Sequence, residues 1–280
     1  MEIPFIKIDN AGNDYIYVRK ESISRYRSGS RVLARRISDR YGGVGSDGLI
    51  IVDIIDSGTA GIRIYNKDGS EAELCGNGLR GVVLFLKREI KSGRRSFAIS
   101  TAWDDYSAEL IKSEFGEATI GAILGGPSFD PRDIGYKGNS RNCMGIRMTA
   151  NGKKRILFCL ALPNPQAVIF VDNFDFDWQK EGMEIERNLI FRRGINVMFA
   201  RVDSKKRIAV KPWERGSGAT RACGSGAAAV TVVARMLGHV HDDVTIAMPG
   251  GNLRTSWKIG ENEIYQSGPS RIAFTGIFRT

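Results

Sequence analysis

The sequence predicts an α+β protein of two pseudo-symmetric domains produced by an internal duplication, each a curved, mostly antiparallel sheet around a central buried helix. Three observations predict it. Short apolar runs rich in β-branched and aromatic residues outnumber helical segments. A Cys-Gly-x-Gly motif occurs twice, as Cys75-Gly76-Asn77-Gly78 and Cys223-Gly224-Ser225-Gly226, 148 positions apart. Each copy opens onto a segment apolar on nearly every face, and a helix of that kind must be buried.

In chain order, the first half offers strands at Phe5 to Ile8, Tyr15 to Val18, Leu49 to Val52, Ile62 to Tyr65 and Phe97 to Thr101. Between the second and third, Val32 to Tyr41 has amphipathic helical spacing and meets a stop at Gly42-Gly43. The second half offers strands at Ile156 to Leu162, Ala167 to Val171, Ile195 to Val202, Arg207 to Trp213, Val244 to Met248 and Leu253 to Trp257. The central helices are expected over Leu79 to Leu86 and Ala227 to Ala234, with Gly238 stopping the second.

Two further matches support a duplication. Asn13 precedes the apolar run at Tyr15 as Asn164 precedes the run at Ala167, and Leu49 to Val52 is echoed by Val197 to Phe199. The turn Gly125-Gly126-Pro127 is the best boundary. The expected domains are residues 1–124 with 268–280, carrying Cys75, and residues 125–267, carrying Cys223.

Composition narrows the class. Of the 280 residues, 42% are hydrophobic and 26% charged, as in an ordinary globular protein. The longest apolar runs, such as Val82 to Leu86, fall far short of the roughly 20 residues a spanning helix needs. The N-terminus shows no basic segment followed by an apolar core, so the expected location is cytoplasmic, with no membrane partner. Four cysteines without a CxxC pair, and two histidines alone at positions 239 and 241, point to free thiols and to no metal site. The net charge of +10 comes from scattered clusters without interleaved aromatics, so no nucleic-acid partner is expected.

The two cysteines carry the chemistry. A helix N-terminus leaves N–H groups unpaired and bears partial positive charge. It favours a thiolate, and it also binds an anion such as an α-carboxylate. Inverting an α-carbon needs a base on one face and an acid on the other, and two thiols of opposite ionisation supply both. Cys75 and Cys223 are therefore the candidate catalytic pair, with no cofactor required. Cys159 reads as a core residue and Cys143 as a loop or strand residue.

Several longer motifs carry a family resemblance. They are Gly12 to Tyr15, Arg40 to Gly48, Tyr65 to Arg80, Asn164-Pro165, Asn196-Val197, Glu214 to Gly218, Ala222 to Ala227, Pro249 to Gly251 and Ser267 to Pro269. Together they span nearly the whole chain, which resembles the diaminopimelate epimerases. The resemblance implies interconversion of LL- and meso-2,6-diaminopimelate, a diamino-dicarboxylate, in lysine and peptidoglycan precursor synthesis. It implies two α+β domains with the last strand returning to the first, a cleft that closes on substrate, and commonly a homodimer. By position, Cys75 and Cys223 look like the acid/base pair, and Gly76, Asn77, Gly224 and Ser225 like the α-carboxylate site. Asn13, Asn66, Asn164 and Asn196 look like polar substrate contacts, and Glu214 and Arg215 like readers of the distal amino-acid end. The chain departs from the family at Gln166, where a histidine that helps tune a catalytic thiol is usual. It departs also at Ala219, usually glutamate, and at Pro163, usually glycine. Gln166 and Ala219 leave open a racemase of another amino acid on the same scaffold, and the positive charge leaves open a binding protein on an inactive one.

Overall fold

The structure is a computed structural model that describes residues 1–72, 76–114, 117–138 and 142–280. The chain divides into two compact units, residues 1–123 with 267–280, and residues 124–266.

The first unit begins with strands β1 (Glu2–Asn10) and β2 (Asn13–Arg19), helix α1 (Ser30–Ser38), and strands β3 (Gly48–Ile54), β4 (Thr59–Asn66) and β5 (Glu71–Ala72). Helix α2 (Gly76–Glu89) follows, then β6 (Ser96–Ser100), β7 (Asp105–Glu114) and β8 (Glu117–Gly125). β1 pairs antiparallel with β2, β2 parallel with β3, and β3 antiparallel with β4. β4 takes β5 antiparallel and β6 parallel, and β6, β7 and β8 continue antiparallel. The C-terminal strand, Glu263–Arg279, lies antiparallel to β1, with Arg279 opposite Glu2.

The second unit contains helix α3 (Pro131–Ile134), strands β9 (Met144–Ala150), β10 (Lys153–Leu162) and β11 (Asn164–Phe170), and helix α4 (Trp178–Glu186). Next come β12 (Asn196–Ser204), β13 (Arg207–Glu214), β14 (Gly218–Ala219), helix α5 (Gly224–Met236), β15 (Asp243–Met248) and β16 (Gly251–Ser256). From β10 to β16 the pairings run antiparallel, parallel, antiparallel, antiparallel, parallel, antiparallel. That is the order found from β1 to β7. The registers agree as well. Tyr65 stands opposite Leu49 and Glu71 as Trp213 stands opposite Val197 and Ala219, every member 148 positions from its counterpart.

Strands covered on both faces read as continuous apolar runs, and successive side chains point to opposite faces. In the second unit Ala167, Ile169, Val197 and Phe199 pack with Ile185 of α4 in one core cluster. The alternate residues Gln166 and Met198 face α5 instead: Gln166 reaches Ser225, and Met198 lies against Gly226. In the first unit Ile16, Val18, Leu49 and Ile51 pack with Leu33, Ala34 and Ile37 of α1. Tyr17 on the alternate face stacks at 6.1 Å on Phe85 of α2.

Both central helices run longer than the apolar segments that predict them, because each begins at the glycine following a cysteine. Helix α5 is buried from Gly226 through Ala234. It ends in a Schellman turn: Gly238, at φ 71°, donates to Arg235 O at 3.1 Å, and His239 donates to Ala234 O at 2.8 Å. Helix α1 ends at Ser38, earlier than the glycine pair predicts. The Asp39 carboxylate accepts from the N–H groups of Tyr41 (2.9 Å) and Gly42 (2.6 Å), which turns the chain before the glycines. β7, β8, β9 and α4 were not predicted. β7 alternates buried and exposed residues only over its first half, and an exposed polar strand gives little apolar signal.

Candidate functional site

Cys223 is 3% exposed and caps the N-terminus of α5 in an extended conformation. Its sulfur accepts from the Gly226 N–H at 3.3 Å, and its own N–H points at Met248 Sδ, 3.3 Å away. Ser225 Oγ lies 3.6 Å from Cys223 Sγ. Glu214, at the end of β13, hydrogen-bonds the same sulfur, and Thr220 Oγ1 steadies the carboxylate by donating to Glu214 Oε1 at 2.5 Å. A helix N-terminus alone would favour thiolate. Here burial first, and then the Glu214 charge, push the Cys223 thiol well above its ordinary value. The Ser225 hydroxyl and the Gly226 N–H pull the other way without outweighing them. At neutral pH the sulfur therefore carries a proton that it can donate, and a carboxylate stands beside it.

The rest of the expected second-unit residues gather around this helix end. Gly224 is buried, and its carbonyl accepts from Gln266 Nε2 at 2.9 Å. The N–H groups of Gly224 and Ser225 belong to the first turn and have no intrahelical acceptor, as an anion site requires. Gln166 is fully buried and donates from Nε2 to Ser225 Oγ at 3.1 Å. Asn196 pairs with Gln166 across β11 and β12, and its Oδ1 accepts from the Arg215 N–H at 2.8 Å. The Arg215 guanidinium is tied back by Nη1 to Arg193 O at 3.0 Å, which orients an otherwise exposed side chain. Asn164 opens β11, half-buried and opposite Leu162.

Cys75 lies outside the described residues. The residues that follow it are described, and they form a polar chain in the first unit. Arg80, fully buried on α2, donates to Asn77 Oδ1. Asn77 Nδ2 donates to Asn13 Oδ1 at 3.1 Å, and Asn13 Nδ2 donates to Asp47 Oδ2 at 2.8 Å. Arg40 closes onto Asp47 and Asp14, and Lys7 joins Asp14 at 2.8 Å. Gly76 is buried at the start of α2. Tyr17 donates its hydroxyl to Gly78 O at 3.0 Å, fixing the first turn of that helix. Asn66 closes the turn after β4 through Ser70, donating from Nδ2 to Ser70 Oγ at 3.0 Å. Sequence reasoning gave no role to Arg80, Asp47, Thr220 or Met248. The first two sit inside quoted motifs, whereas Met248 gives no chemical signal in the sequence.

Cys143 and Cys159 have a different setting. Both are fully buried in the apolar cluster beside α4, which holds Cys143 at about 11 and Cys159 well above the ordinary range. Neither caps a helix. Among the described residues no group of three or more His, Cys, Asp or Glu is placed to hold a metal ion, and no helix is long and apolar enough to cross a membrane.

Among solved structures, a hydroxyproline epimerase from Agrobacterium vitis is similar in fold, with a TM-score of 0.73 over 99% of this chain and 92% of that one, at 12% identity. A curated diaminopimelate epimerase from Carboxydothermus hydrogenoformans is 35% identical over 277 residues, covering 98% of each chain. Another, from Desulforapulum autotrophicum, is 34% identical over 284 residues, covering 99% of each. The family described as diaminopimelate epimerase matches residues 5–119 and 158–273. Sheet, central helices and relatives together define an isomerase of the epimerase class. The chain belongs to the diaminopimelate epimerase family.

Proposed function

We propose that the protein interconverts LL- and meso-2,6-diaminopimelate, in lysine and peptidoglycan precursor synthesis, by passing the α-proton between Cys75 and Cys223. The observation that carries the mechanism is the setting of Cys223: a protonated thiol capping a helix, beside Glu214 as proton acceptor and beside first-turn N–H groups that have no intrahelical acceptor. In one direction the Cys75 thiolate takes the α-proton and the carbon becomes planar. The Cys223 thiol then returns a proton to the opposite face, leaving Cys75 protonated and Cys223 ionised. The reverse direction runs from that state: the Cys223 thiolate takes the α-proton and the Cys75 thiol returns one to the opposite face. Where Cys223 starts protonated, Glu214 accepts its proton and Cys75 takes one from solvent. The N–H groups of Gly224 and Ser225, with those of Gly76 and Asn77, hold the α-carboxylate as negative charge builds on it. No cofactor enters this route.

At the other end of the substrate, Arg215 offers a two-pronged donor to a carboxylate. Asn13, Asn66, Asn164 and Asn196 supply polar contacts. Glu214 serves the distal ammonium in this reading as well as the sulfur. A homodimer in the cytoplasm completes it, and Phe274 and Ile277, exposed on the C-terminal strand, offer apolar area for self-association.

The test is α-proton exchange in D2O under reducing conditions. Deuterium is expected at the α-carbon of either diaminopimelate isomer, with exchange lost in Cys75→Ala and Cys223→Ala. Exchange of other amino acids without preference for diaminopimelate would favour a different racemase, a reading that Gln166 motivates. No exchange with any amino acid would remove the enzyme reading altogether.

A further inference from the structure

Gln166 stands where the family resemblance implies a histidine, and the contacts of its amide point to a task of its own. The side chain is fully buried on the α5 face of β11, between Leu160 of β10 and Asn196 of β12. Its Nε2 donates to Ser225 Oγ at 3.1 Å, and its Oε1 has no hydrogen-bond partner among the described residues. Ser225 Oγ is in turn 3.6 Å from Cys223 Sγ.

The two ends of an amide are not interchangeable: the nitrogen only donates and the oxygen only accepts. A hydroxyl that accepts from Nε2 keeps its own proton for another acceptor. Once Cys223 is ionised its sulfur has no hydrogen, so the serine must be the donor between them. The reverse amide orientation would accept the serine proton on Oε1 and turn it away from sulfur. A buried carbonyl without a partner is a cost that folding does not tolerate idly, and here it accompanies the orientation that leaves the serine proton to the thiolate.

We propose that Gln166 is a positioning residue that locks the Ser225 hydroxyl into donating to Cys223 Sγ. The inference rests on the two-thiol reading above and deepens it. The hydroxyl is one of two groups that favour the thiolate against burial, the other being the Gly226 N–H. Among the described residues, the charged group facing the sulfur is Glu214, from β13; Met248, from β15, is neutral. A neutral amide keeps the hydroxyl oriented at every working pH, whereas an imidazole in its place would add a second titration to the site.

The experiment measures the pH dependence of Cys223 alkylation by iodoacetamide in the full chain, each cysteine being resolved by peptide mass spectrometry. Wild type is compared with Gln166→Met, Gln166→Glu, Ser225→Ala and the double variant Gln166→Met with Ser225→Ala. Losing a hydrogen bond to an ion shifts its titration by about one pH unit. Gln166→Met and Ser225→Ala are each expected to move the half-point upward by about that much. The double variant is expected to move no further than Ser225→Ala alone. Gln166→Glu, a pure acceptor when ionised, is expected to turn the hydroxyl around and move the half-point at least as far as Gln166→Met. An unmoved half-point in both Gln166 variants, or additive shifts in the double variant, would overturn the proposal. The readout does not require turnover. A wild-type chain without α-proton exchange would sink the diaminopimelate reading, while the alkylation curves would still decide the role of Gln166.

Discussion

The Glu214 carboxylate is hydrogen-bonded to the Cys223 thiol, and its charge, together with burial, keeps that sulfur protonated. A carboxylate in this position does two opposing things. It raises the energy of the thiolate, and it offers a nearby destination for the proton when the thiolate must form. The Cys223 titration therefore lies above that of a free cysteine, and its alkylation rate is expected to rise only at alkaline pH.

Glu214→Gln separates the two effects. The substitution keeps the shape of the side chain and the Thr220 contact and removes the charge. With the repulsion gone, the half-point for Cys223 alkylation is expected to move down in pH. Turnover is expected to fall by about 10²–10⁴-fold, the range for loss of a general acid–base group. A lowered half-point with full activity would show that Glu214 tunes the thiol without accepting its proton.

Gly226 is closely approached by side chains, and its backbone conformation is open to any residue. A Cβ there would lie 2.4 Å from Met198 Sδ and 3.1 Å from Cys223 Sγ. Gly226→Ala is expected to displace Met198 or the reactive sulfur itself. The stability cost expected of overpacking is about 1–3 kcal/mol, read from urea denaturation. The epimerisation rate is expected to fall more than substrate affinity, because the thiol moves while the carboxylate site keeps its N–H groups.

How much of this was legible in the sequence follows from the range of the interactions involved. The repeat was visible because both copies carry the same Cys-Gly-x-Gly signal, and the strand registers repeat at the same 148-residue spacing. The buried strands were visible because both their faces are apolar. β7 was not, because most of its side chains are exposed. The second unit's site was readable as a helix end, but the ionisation of Cys223 was not. Motif reasoning weighed the helix end alone, whereas burial and a carboxylate nine positions upstream act through space. Likewise, the sequence marked Gln166 as a departure, and only the fold shows that it touches Ser225.

Cys143 provides an internal contrast for the thiol chemistry. It is fully buried in an apolar cluster, and desolvation followed by the Asp130 charge holds it at about 11. It is expected to resist iodoacetamide at neutral pH, and its setting among the described residues, unlike that of Cys223, holds no helix N-terminus and no hydrogen-bonded carboxylate. Cys143→Ser is expected to leave the epimerisation rate and its pH profile unchanged. A shift in that profile would place Cys143 in the proton path, where its setting gives it no part.

Outside the site, the second unit depends on a buried ion pair. Arg155 on β10 donates to Glu181 on α4 through Nε (2.7 Å) and Nη2 (3.1 Å), and its guanidinium lies 4.6 Å from the Phe176 ring. The Glu181 side chain is fully buried. Removing only the arginine, as in Arg155→Met, strands a carboxylate in an apolar setting, and the expected loss is about 3–5 kcal/mol. Replacing both partners with apolar residues, Arg155→Met with Glu181→Leu, removes the stranded charge and is expected to recover most of that loss. Tryptophan fluorescence during urea denaturation reads this unit well, because Trp178, Trp213 and Trp257 all lie within it. If the double variant proves as unstable as Arg155→Met alone, the arginine acts chiefly by packing its guanidinium over Phe176, and the pairing of charges contributes little.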